Sequence, residues 1–186
     1  MVTSTDGDGR EVSVWEVPVP RVESVADHSG RLAMFGMLCK EPGLDKDRIM
    51  KMSLVHDLAE AITGDITPES TSGISKGSKD KMEREAMEII LNKLKVGGSG
   101  LASDEVRELW EEYEAGLTKE AVFVKDCDRL EMILQAYEYE LAAKEAGSVV
   151  VLTTFFESTR GKARMEQTRG WDLEIRRRDE SRGVVR

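Results

Sequence analysis

The chain is poor in histidine, in cysteine and in long apolar runs, and it lacks net positive charge; each shortage excludes something. Cys39 and Cys127 are the only cysteines, too few for a disulfide framework. Both fall in helical patterns and read as buried free thiols, which favours a reducing, intracellular and cytoplasmic setting. No apolar run approaches the roughly 18 residues of a membrane span, so no membrane association is expected. The N-terminus, MVTSTDGDGREVSVWEV, has neither a basic start nor an apolar core, so no secretory signal is expected. The net charge of -9 argues against binding a nucleic acid polymer through its phosphates. A small anionic substrate remains open, because a metal ion can supply the missing local positive charge. Histidine occurs only twice, as His28 and His56, and this scarcity makes each position informative.

What the sequence does have is helical patterning, and it predicts an all-α chain of about six helices in one domain. Residues 1–20 read as a flexible or extended lead-in, 21–162 as the domain, and 163–186 as a charged C-terminal helix or tail that frays. Ser24 with Asp27 resembles a capping box. Val25, Leu32, Phe35, Leu38 and Cys39 then recur at helical spacing. EPGLD ends this helix, and a second is expected from Asp45 to Ile62 or Thr63, with Gly64 as a left-handed cap. Residues 66–78 read as a loop. A third helix is expected over about 79–95, with Met82, Ala86, Ile89, Ile90 and Leu94 on one face. Ser103 is expected to cap a short acidic helix, and Thr118 a long one reaching about Lys144. Residues 148–162 fit either a strand or a helix. The methionines at 34, 37, 50 and 52 read as packing residues, and the acidic run RELWEEYEAG as a solvated face.

The chemistry concentrates at His56-Asp57, a doublet inside the apolar helical run MKMSLVHDLAEAITGD. Polar groups in such a run need partners. With His28 on a second helix and Asp128 on a third, two imidazoles and two carboxylates could close around one divalent ion. Asp126 competes with Asp128 for the last place. Nitrogen and oxygen donors without thiolate suit Mn, Co, Fe, Ni, Zn or Mg. A bound ion acidifies its water and polarises a phosphoryl oxygen, which points to metal-assisted hydrolysis. Glu60 lies three residues past Asp57 and four past His56, placed to orient that water or pass a proton. Asp65, just beyond the helix, could share that work or hold substrate. Taken singly, a histidine on an apolar helix face is ordinarily a hydrogen-bonded core residue, and acids abound here. The combination across three helices is what favours a metal.

These residues resemble a known family. His28, His56-Asp57 and Asp128 reproduce the H…HD…D signature of HD-domain metal-dependent phosphohydrolases. ESVADHSGRLAM, LVHDLAEAITGDITP, ELWEEYE, FVKDCDRLEMILQAYEYE and FFESTRGK resemble successive blocks of its 5′-deoxynucleotidase branch. The resemblance covers about residues 21–162. It implies a helical HD-domain bundle that hydrolyses deoxynucleoside 5′-monophosphates to deoxynucleoside and phosphate, working as a homodimer. It implies His28, His56, Asp57 and Asp128 as ligands of one divalent ion (Mn, Co, Mg or similar), and catalytic or substrate-handling roles for Glu60 and Asp65. The resemblance departs at the N-terminus. The family's helix ahead of the first block is expected to be missing. Trp15 stands in place of the family tryptophan without an arginine just before it, and Arg21 is the candidate replacement for phosphate binding. Gly30 also departs, standing where the family often has a larger residue. Two alternatives therefore stand beside the nucleotidase: another HD-type phosphohydrolase, and a non-catalytic nucleotide-binding protein.

Overall fold

Ser24 starts the first helix as its sequence predicts. In the computed structural model, which describes residues 3–6, 11–13, 23–66, 73–148 and 150–181, its hydroxyl accepts from the Asp27 amide and the Asp27 carboxylate accepts from the Ser24 amide. Trp15 and Arg21, and the stretch where a preceding helix would lie, fall outside the described residues. Eight helices occur among the described residues: α1 Val25–Met37, α2 Lys46–Val55, α3 Glu60–Thr63, α4 Lys76–Val96, α5 Gly100–Ala115, α6 Lys119–Glu145, α7 Thr153–Thr159 and α8 Glu166–Glu180. The helical class expected from the sequence holds, with α3 and α7 as short additions. A small antiparallel sheet accompanies them: β1 Thr3–Asp6, β2 Glu11–Ser13 and β3 Val150–Val151, in the order β2-β1-β3. Thr3 pairs with Ser13, and Thr5 with Val151. The ambiguous stretch near 150 thus contributes both a strand and a helix.

The chain divides into two compact units, Ser24–Lys125 and Met1–Glu23 with Asp126–Arg186. In the first, α1 packs on α2 and α4 on α5. Gly36 permits the first approach, since a Cβ there would meet Ile49 Cγ2 at 2.9 Å and Met50 Cγ at 3.1 Å. Leu32, Cys39, Ile49 and Met52 are buried near this contact, whereas Met34, Met37 and Leu38 are exposed, contrary to their reading as packing or core-face residues. Met87, Leu91 and Trp110 form a second buried group in this unit, with Leu58 and Val106 against it. Of the expected face of α4, Ala86 is buried and Ile90 and Leu94 are half-buried, but Met82 and Ile89 are exposed, and the buried stripe is completed by Met87 and Leu91. On α5 the apolar Leu109, Trp110 and Tyr113 turn inward. Several of its acids are paired: Arg48 Nε donates to Glu112 at 2.7 Å, and Arg48 Nη2 to Glu108 at 2.7 Å. Ser103 does not cap this helix. It is buried within it and donates to the Leu91 carbonyl at 3.1 Å. Thr118 does cap α6, accepting from the Ala121 amide at 3.2 Å.

In the second unit, Leu130, Ile133, Ala136, Ala143, Val150, Leu152 and Phe156 form the core, with Trp171 and Ile175 of α8 packed against it. The C-terminal stretch expected to fray is therefore a docked helix as far as Glu180. The reason is polar as well as apolar. Arg176 donates to the Phe156 carbonyl at 2.8 Å and to Thr159 Oγ1 at 2.9 Å. Asp126 is buried and accepts from the amides of Arg164 and Met165 at 2.7 and 3.0 Å, and from the Thr168 hydroxyl at 2.7 Å. One carboxylate of α6 thus ties down the lead-in to α8, its cap residue Met165 and the Thr168 hydroxyl of its first turn.

Candidate metal centre

The expected second helix does not run through the His-Asp doublet. α2 ends at Val55, and residues 56–59 form a tighter turn before α3. Leu58 donates to the Val55 carbonyl, Glu60 to Asp57 and Ala61 to Leu58, all three residues back instead of four. Such tightening eclipses side chains three apart. It brings Asp57 and Glu60 onto one line, where the helical reading had placed Glu60 between His56 and Asp57. Gly64 closes α3 with its amide on the Glu60 carbonyl at 2.9 Å. Its φ of 70° is positive as predicted, but its ψ of 168° sends the chain away extended, unlike a left-handed helical cap.

His56 is buried, and its ring is held in one orientation. Nδ1 lies 2.8 Å from the Ser53 carbonyl. A carbonyl only accepts, so Nδ1 carries a proton, and the ring when neutral is left with its lone pair at Nε2. That nitrogen lies 3.1 Å from Asp57 Oδ2 and 3.3 Å from His28 Nε2. His28 Nε2 lies 3.4 Å from the same Asp57 oxygen. Three donor atoms therefore form a near-equilateral triangle. Burial by itself would raise the Asp57 carboxyl, but hydrogen bonds and positive charge from His28 and His56, protonated when no ion is bound, prevail and hold it well below the usual carboxylate range. Tyr113 meets the His56 ring edge-on at 4.8 Å, and the Lys125 ammonium lies 3.9 Å above the Tyr113 ring.

The triangle fits a divalent ion. Metal bonds of about 2.1 Å at tetrahedral to octahedral angles separate neighbouring donor atoms by roughly 3.0–3.4 Å. A histidine ligand whose other ring nitrogen donates to a backbone carbonyl is the usual supporting arrangement. Lone pairs facing one another at these distances repel unless positive charge lies among them, and the donor set contains no thiolate.

Glu60 is half-buried beside this triangle. Burial, then the charges of Asp57 and Asp65, push its carboxyl up to about 8, against a smaller opposing pull from Lys79. Asp65 itself is exposed. The sequence reading missed Lys79 and Glu83, successive turns of α4, which the packing of α3 on α4 brings to this edge. Lys79 donates to the Ile66 carbonyl at 3.0 Å and pairs with Glu83 at 3.4 Å. The only sequence signal for them was a Lys–Glu pair four apart, a pattern that recurs in this helix as Lys81–Glu85. Of the two rival acids on α6, Asp126 is occupied in starting α8. Asp128 lies two residues further on, three past Lys125 along the same uninterrupted helix.

The chain belongs to the HD-domain family, whose profile matches residues 12–169. Among curated proteins it is 47% identical over 148 residues to the 5′-deoxynucleotidase HDDC2 of Dictyostelium discoideum, covering 75% of each chain. It is 45% identical over 144 residues to the human 5′-deoxynucleotidase HDDC2, covering 77% of this chain and 66% of that protein. Among solved structures it resembles one titled a predicted metal-dependent phosphohydrolase, from Magnetospirillum magnetotacticum. The TM-score is 0.64 at 26% identity, covering 88% of this chain and 81% of the other.

Proposed function

We propose that this chain is a divalent-metal-dependent 5′-deoxynucleotidase that hydrolyses deoxynucleoside 5′-monophosphates to deoxynucleoside and phosphate. One observation carries the reading: His28 Nε2, His56 Nε2 and Asp57 Oδ2 converge at 3.1–3.4 Å with the His56 lone pair turned inward. The substrate class is supported by the names of the relatives, which are 5′-deoxynucleotidases. His28, His56 and Asp57 would hold the ion, with Asp128 as a fourth ligand. The HD signature supports Asp128, and so does its place one turn past Lys125, the residue that covers the Tyr113 ring beside His56. When bound, the ion would acidify a water and polarise a phosphoryl oxygen.

The chain's own groups account for the remaining work. Ser53 fixes the His56 tautomer. Glu60, with its raised carboxyl, can hold the proton lost by the attacking water and return it to the departing 5′-oxygen as the P–O bond breaks. Asp65 would orient the nucleotide near Glu60. Arg21 is proposed to contact the phosphate and Trp15 to lie against the substrate, both on the strength of the family pattern. We also propose a homodimer working in the cytoplasm. No helix among the described residues is long and apolar enough to cross a membrane.

The test is phosphate release from deoxy- and ribonucleoside monophosphates, with and without added Co, Mn or Mg. Metal-dependent release favouring deoxynucleotides is expected. Silence from folded, metal-loaded protein toward every monophosphate would overturn the reading.

A further inference from the structure

We propose that Lys79 is a positioning residue: its ammonium clamps the Ile66 carbonyl and so fixes the turn that carries Asp65 beside Glu60. The inference deepens the nucleotidase reading and rests on it for its catalytic arm. Three residues, Gly64, Asp65 and Ile66, leave α3 with no regular secondary structure, and Gly64 takes a positive φ that only weakly restrains the chain. The Ile66 side chain is buried at one end of this turn, and the Gly64 amide is bonded to Glu60 at the other. Among the described residues the long-range polar tether between them is the 3.0 Å bond from Lys79 Nζ to the Ile66 carbonyl.

Lys79 is well suited to this. It starts one helical turn past the cap of α4 at Ser75, on the rigid part of a 21-residue helix. Glu83, the next turn along, holds the ammonium at 3.4 Å and limits its rotamers. Around Glu60 stand Asp57 from the preceding turn, Asp65 from the following one, and Lys79 and Glu83 from α4, with Glu114 of α5 acting on Glu83. Lys79 is the cation in that group. It holds two acids near each other that would otherwise repel, and it does so from a helix that carries no proposed ligand.

The experiment compares the wild type with Lys79→Met and Lys79→Arg in the full chain. Exchange of the Gly64 amide is followed by NMR, manganese affinity by calorimetry, and phosphate release from a deoxynucleoside monophosphate as kcat and KM. In Lys79→Met, Gly64 exchange should quicken about tenfold, the effect of losing one charged hydrogen bond. Its kcat should fall about 100-fold, the scale of a catalytic group misplaced by an ångström, with KM and manganese affinity nearly unchanged. Lys79→Arg should recover most of both losses. Unchanged exchange in Lys79→Met overturns the proposal, as does an unchanged kcat in an active enzyme, or an arginine that rescues neither. If the wild type binds manganese but releases no phosphate, the nucleotidase reading fails by itself. The exchange arm then decides the clamp: faster exchange upholds it, and equal exchange overturns it.

Discussion

His56 shows how one backbone contact fixes the chemistry of a side chain. The Ser53 carbonyl takes the Nδ1 proton, and the inward lone pair follows. Asp57→Ala should remove metal binding, because it takes away the carboxylate donor of the triangle. Calorimetry with manganese should show at least about a 100-fold loss of affinity, more than expected for a supporting residue; retention of tight binding would remove Asp57 from the ligand set. Glu60 makes a separate prediction about pH. Its carboxyl sits at about 8 in the fold, above its ordinary 4.5, so the folded chain keeps a proton that the unfolded chain releases. The stability tied to that proton is complete below pH 4.5 and is lost as pH rises through about 8. Glu60→Gln should flatten this decline in metal-free protein, by on the order of 1 kcal/mol once screening at a half-exposed position is allowed for. Urea unfolding at both ends of that range measures it; parallel declines in the two proteins would contradict the assignment.

Elements begin where local chemistry says they should. Ser24, Asp45 and Thr118 cap their helices through their own side chains, because a cap needs only residues two or three positions away. Interior contacts are less legible. Ser103 has a cap's chemistry but spends its hydroxyl on Leu91, and the buried phase of α4 is set by the surface that α5 offers it. The two glycines of α1 test this element directly. A Cβ at Gly36 collides with Ile49, so Gly36→Ala should cost about 1–3 kcal/mol. A Cβ at Gly30 meets nothing within 4 Å, so Gly30→Ala should stabilise by about 0.5–1 kcal/mol. Thermal unfolding of both variants would show opposite signs; equal signs would mean that α1 does not pack on α2 through Gly36.

At the scale of the whole molecule, an ion that binds only the folded chain stabilises it by mass action. At about 100 times its Kd, a divalent metal should add about 2.7 kcal/mol, raising Tm by roughly 5–10 °C, and a chelator should reverse the gain. Calorimetric scans with manganese and with a chelator test this, and an unchanged Tm would mean that the triangle takes no metal. The net charge of -9 acts in the same direction, since 36 acidic residues outnumber 27 basic ones.

The sequence by itself determined the helical class, the main helix starts and the chemical type of the site: imidazole and carboxylate, without thiolate. These follow from periodicity, from caps that act over one turn, and from there being only two histidines to place. Tertiary structure decided the rest. It tightened the chain at His56-Asp57, turned the His56 lone pair inward, and used Asp126 to start α8. It also carried Lys79 to the turn beyond α3. The uses of Asp126 and Lys79 depend on partners 42 and 13 residues away, at positions no local pattern encodes; the turn and the ring orientation rest on bonds three residues back that compete with helical ones, and the residue pattern does not choose between them.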